Sequence, residues 1–109
     1  MAPMPEPVAA MVERIVRGFD PVRIVLFGSR ARGDAAPDSD VDLLVVLRSV
    51  SDPREAAIAI RRVLADLPVA KDIVVASPGD LERRARRIGD ILRYALAEGR
   101  IVYESSAGR

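Results

Sequence analysis

The chain has 109 residues, half of them hydrophobic and 30% charged, which is enough apolar material for one core, too little for two, and too much for a disordered segment. Its 17 Lys plus Arg against 16 Asp plus Glu leave no cationic excess of the kind that gathers nucleic acid, so a direct nucleic-acid partner is not expected. Cys and His are both absent, which excludes disulfides, thiolate chemistry, Ser-His triads and imidazole ligands, so any metal must be held by oxygen, favouring Mg²⁺ or Mn²⁺ over Zn²⁺.

The first seven residues contain three prolines and lack a signal-peptide pattern, and no run nears the roughly 20 apolar residues of a membrane span. A flexible start at 1–7 and a soluble, cytoplasmic domain with no membrane partner are expected. Val8, Met11, Val12, Ile15, Val16 and Phe19 recur at helical spacing, and Gly18 with Asp20-Pro21 closes that first helix. Val22 to Phe27 is short, rich in β-branched residues and stopped by Gly28, as a buried strand is. Gly28 to Ser39 reads as a polar loop with one short helical turn at Ser29 to Arg32. Val41 to Leu47 is a second, apolar strand.

Asp52-Pro53 supplies a cap and a first-turn proline for a helix whose face is Ala57, Ile60, Leu64 and Leu67, ending at Pro68. Val69 to Ala76 is a third strand. Ser77-Pro78-Gly79-Asp80 reads as a capping box opening one long helix, with a stripe of Leu81, Ala85, Ile88, Leu92 and Ala95 and a stop at Gly99. Arg100 to Glu104 is a last edge strand and 105–109 a tail. Alternating helices and strands predict an α/β (α+β) fold, a small mixed β-sheet with flanking helices and no internal repeat.

The chemistry concentrates between Gly28 and Asp42. In a strand alternate side chains share a face, so Asp40 and Asp42 stand together while Val41 and Leu43 point into the core. Two adjacent carboxylates repel each other unless a cation neutralises them, and Mg²⁺ takes one or two carboxylates plus phosphate oxygens. Taken alone, the pair also fits an ordinary solvated turn entering a strand. The bend at Gly28 and Ser29 suits a phosphate, since glycine lets the backbone approach closely; Arg30 and Arg32 would offset phosphate charge. Asp72 opens a strand able to pair beside that of Asp40, where it would complete a second metal site or accept a proton. It would equally serve as a strand-end carboxylate paired with Lys71 or an arginine.

Phe27-Gly28-Ser29-Arg30-Ala31-Arg32-Gly33, then Ser39-Asp40-Val41-Asp42-Leu43 and a later Asp72, resembles the DNA polymerase beta-like nucleotidyltransferase superfamily, and most closely its minimal nucleotidyltransferase (MNT) branch. The likeness covers roughly residues 8–104, which it implies form one nucleotidyltransferase domain with a polymerase beta palm-like fold. It implies Mg²⁺-dependent transfer of a nucleoside monophosphate, AMP from ATP, to a hydroxyl, with a two-ion site open. It also implies that Gly28 and Ser29 contact phosphate, with Arg32 beside them, that Asp40 and Asp42 bind metal, and that Asp72 is a ligand or base. Members of this branch pair with a small helical HEPN protein as antitoxin and toxin, and the acceptor hydroxyl is then a tyrosine of that partner.

Two other readings compete: an antitoxin that acts by binding alone, and a regulatory nucleotide sensor. Homo-oligomerisation is left open. The arginines at 83, 84, 86, 87 and 93 read as the wet face of the last helix, held by pairs such as Asp80 with Arg84, with part of that face available to an acidic partner.

Overall fold

The computed structural model describes residues 6–33, 39–87 and 89–105. The expected flexible start and C-terminal tail fall largely outside these residues. The elements are α1 (Val8–Phe19), β1 (Arg23–Phe27), α2 (Ser29–Arg32), β2 (Val41–Val46), α3 (Pro53–Val63), β3 (Lys71–Ala76), α4 (Pro78–Arg84), α5 (Ile91–Glu98) and β4 (Arg100–Glu104). Each strand is a short, β-branched-rich run, and the four form one sheet in the order β3-β2-β1-β4. β1 is antiparallel to both neighbours, while β2 and β3 are parallel. The sheet is therefore mixed, with β4 on an edge.

Helices cover both faces. Val8, Met11, Val12 and Ile15 of α1, together with Ile60 and Leu64 from α3 and its end, pack on Ile24, Leu26, Val41, Leu43, Val45, Ile73 and Val75. The opposite face buries Val25, Phe27, Leu44, Val46 and Ala76 under Leu92 and Ala95 of α5. β2 is the strand shared most deeply by both clusters: Leu43, Leu44 and Val45 have no exposed surface, and truncating either leucine to alanine is expected to cost about 2–5 kcal/mol.

α1 runs past Gly18 and stops at Asp20, which adopts a left-handed conformation (φ 48°) just before Pro21. α3 is capped as its sequence predicts, with the Asp52 carboxylate accepting from the backbone N–H groups of Arg54 and Glu55. It ends at Val63, short of Pro68. Leu64, Ala65 and Leu67 bond three residues back in tight turns, and Lys71 Nζ donates to the carbonyls of Leu64 and Leu67 at 3.1 Å. β3 accordingly begins at Lys71.

The single long helix expected from Pro78 to Glu98 is two helices. Gly89 takes φ 85°, and the Asp90 carboxylate accepts from the Leu92 N–H, starting α5 afresh. The unbroken apolar stripe concealed this break, and its member Ile88 lies outside the described residues. The capping box at Ser77 and Asp80 is formed in full. Gly99, between α5 and β4, is needed for space: a Cβ there would overlap the Ala95 carbonyl and the Val25 side chain.

Candidate active site

β1 ends at Phe27, and the chain turns through Gly28 into α2 with φ 77° and ψ −158°, a backbone conformation that side chains strongly disfavour. A Cβ on Gly28 would overlap Oδ2 of Asp42 and lie 3.2 Å from its Cγ. The torsion calls for glycine, and any Cβ there would also push the Asp42 carboxylate out of its place against the bend. Strand register sets this apposition, since Phe27 stands opposite Asp42 in the antiparallel pair.

The parallel pair then places Asp72 beside Asp42, on strands separated by about 4.8 Å. Asp40 is exposed just ahead of β2, on the face that alternation gives to Asp42. Gly28, Ser29, Asp40, Asp42 and Asp72 thus gather at one end of the sheet, where β1 finishes and β2 and β3 begin. Ser29 is the first residue of α2 and is half-buried.

The electrostatics of that end are strained. Burial pushes the Asp42 carboxyl above the ordinary carboxylate range, the charges of Asp72 and Asp40 push it further, and Arg32 pulls against them. Like charges crowded at a half-buried position are what a divalent cation relieves. Asp40 and Asp42 fit as a two-carboxylate ligand set of the kind Mg²⁺ shares with phosphate oxygens. Among the described residues no group of three or more acidic side chains is arranged to hold a metal ion. Asp72 also has a partner on α3: its Oδ1 lies 3.5 Å from Nη2 of Arg61, an arginine pairing of the kind a strand-end carboxylate makes.

The two arginines of α2 have different occupations. Arg30 donates through Nε and Nη2 to the Ser39 carbonyl at 3.1 and 2.7 Å, tying α2 to the residue before Asp40. Arg32 donates through Nη1 to the Tyr94 hydroxyl at 2.7 Å, and the Tyr94 ring stands edge-on to Phe27 with centroids 6.2 Å apart and an interplanar angle of 86°. Sequence reasoning missed Tyr94 as a neighbour of the site, because a contact across 62 residues between two exposed side chains leaves no local pattern. The basic run is also paired differently from expectation. Arg83 pairs with Asp80, while Arg84 reaches Asp90 at 3.0 and 3.2 Å, since the break before α5 folds Asp90 back onto it.

The family model for the nucleotidyltransferase domain matches residues 9–101. Solved structures share the fold. A candidate nucleotidyltransferase from Sulfolobus solfataricus superposes with a TM-score of 0.62 at 21% identity, covering 89% of this chain and 77% of that one. A toxin-antitoxin crystallised with AMP-PNP gives 0.61 at 20% identity over 90% and 74%, and a mutant of the MntA-HpeT toxin-antitoxin gives 0.63 at 17% identity over 94% and 76%. Comparison with curated proteins gives no significant match. Among the described residues no helix is long and apolar enough to cross a membrane. With 93 of its 109 residues inside the family match and the same fold in the solved relatives, the chain belongs to the nucleotidyltransferase domain family.

Proposed function

We propose that the chain is a cytoplasmic Mg²⁺-dependent nucleotidyltransferase that moves AMP from ATP to a hydroxyl of a partner protein, as the antitoxin of a pair whose toxin is a HEPN-type helical protein. The observation that carries this reading is the contact between the Gly28 backbone and the Asp42 carboxylate, with no room for a Cβ between them. A phosphate lying on the Gly28-Ser29 bend would have the crowded carboxylates directly beside it. The toxin-antitoxin neighbours, one of them holding AMP-PNP, support the nucleotide and partner classes.

In the transfer, the acceptor hydroxyl oxygen attacks the α-phosphorus as the bond to the bridging β-phosphate oxygen breaks. The acceptor gains AMP, pyrophosphate leaves, and we assign the hydroxyl proton to Asp72. Such a reaction needs mainly positioning and charge neutralisation, which a few fixed groups supply. Asp40 and Asp42 would hold Mg²⁺, which when bound neutralises charge gathering on the phosphate oxygens. Gly28 and Ser29 hold the phosphates through the bend, and Arg32 adds positive charge at its edge. Asp72 enters by exchanging Arg61 for the reacting group.

The test is incubation with labelled ATP, Mg²⁺ and the co-encoded helical protein. Label is expected on the partner and lost with Asp42→Asn; no transfer by the wild-type chain, or full transfer by the variant, overturns the reading. In cells, full protection by the double variant Asp40→Asn, Asp42→Asn would instead assign the antitoxin effect to binding alone.

A further inference from the structure

We infer that Tyr94 is a positioning residue for Arg32, holding the guanidinium at the mouth of the site where the nucleotide's phosphates would arrive. The inference rests on the nucleotide reading above and goes beyond it, to a residue on a different element. Three contacts form a chain. The Tyr94 hydroxyl accepts from Arg32 Nη1 at 2.7 Å. The Tyr94 and Phe27 rings meet in a T-shape at 86°, and Phe27 is the residue paired with Asp42 across β1 and β2.

α2 is a single turn of four residues, too short to fix a long side chain by its own packing. An arginine there has a long chain of rotatable bonds to order, and one anchored end removes much of that freedom before any ligand binds. The anchor is itself well held. α5 is capped by Asp90, braced by Arg84 on α4, and sunk into the sheet through Leu92 and Ala95. Tyr94 thus transmits the position of α5 to a cation beside the carboxylates.

The experiment uses the full chain with AMP-PNP and Mg²⁺ as probe, in a cycle of Tyr94→Phe, Arg32→Ala and the double variant. Tyr94→Phe keeps the ring on Phe27 and removes only the hydroxyl. It is expected to weaken AMP-PNP binding roughly 3- to 10-fold, leave the melting temperature unchanged, and have no further effect once Arg32 is alanine. A second readout needs no nucleotide: NMR of the Arg32 guanidinium is expected to show slowed rotation in the wild-type chain and measurably faster rotation in Tyr94→Phe. Unaltered affinity in Tyr94→Phe, or an equal loss in the Arg32→Ala background, overturns the positioning role. If the wild-type chain binds no AMP-PNP while its guanidinium is held, the nucleotide reading falls and Tyr94 is reduced to a fold contact. A freely rotating guanidinium in the wild-type chain overturns the clamp by itself.

Discussion

The chain leaves β3 through Ser77 and leaves β1 through Gly28, and the two exits into a helix are built differently. At the first, Ser77 Oγ accepts from the Asp80 N–H at 3.2 Å, the Asp80 carboxylate accepts from the Ser77 N–H at 3.1 Å, and Pro78 opens the helix. At the second, α2 has no side-chain cap and no acid in its first turn, and its preceding glycine is held at φ 77° against a carboxylate. A helix start normally takes a cap worth about 1 kcal/mol. The exit lacking one lies where Asp40, Asp42 and Asp72 converge, so stability is relinquished at the end of the sheet that would receive phosphate and kept at the other.

The strongest way to break this contrast is to remove the crowded charge. Asp42→Asn is expected to lower nucleotidyl transfer by at least ~100-fold while raising the melting temperature of the ligand-free chain by roughly 2–5 °C, a pair of opposite signs that calorimetry beside a transfer assay would reveal. Next is Gly28→Ala, expected to cost about 1–3 kcal/mol through the forced torsion and to abolish AMP-PNP binding, read by denaturant melts and titration. Ser77→Ala should cost about 1 kcal/mol and leave nucleotide affinity unchanged; a loss of affinity there would erase the distinction between the exits.

The smallest effect is on pH dependence, and its sign differs between the two regions. Asp42 has its carboxyl raised, so its cost is present above the folded value and is relieved as pH falls toward the ordinary carboxylate range. Asp80 is held low, first by the Ser77 backbone N–H, and Asp90 first by the Leu92 N–H, so what they contribute is present above the ordinary range and lost below it. The melting-temperature advantage of Asp42→Asn over the wild-type chain is therefore expected to shrink between pH 7 and about pH 4, whereas Asp80→Asn should flatten the acid limb below that.

Much of this was legible in the residues because the signals were local. Pro21, Asp52-Pro53 and Ser77 to Asp80 mark helix limits by chemistry acting over four residues, and the strand cores from Ile24 to Phe27 and Leu43 to Val46 are apolar runs of the right length. The helix break at Gly89 was hidden because Leu81, Ala85, Ile88, Leu92 and Ala95 keep helical spacing across it. A glycine followed by an aspartate two residues before Leu92 was the available sign of a stop and a new cap. Within the candidate site, Gly28 and Asp42 were readable as types, but their contact depends on register. Arg61 beside Asp72 and Tyr94 beside Arg32 are tertiary choices with no trace in spacing.

Because Phe27 and Asp42 are register partners on adjoining strands, the Gly28 bend and its carboxylate remain side by side whatever the length of chain between residues 33 and 39. Lengthening such a connection is cheap, about 0.6 kcal/mol for each doubling. Insertions of new length between those two positions are therefore expected to leave the apposition of bend and carboxylate as it is.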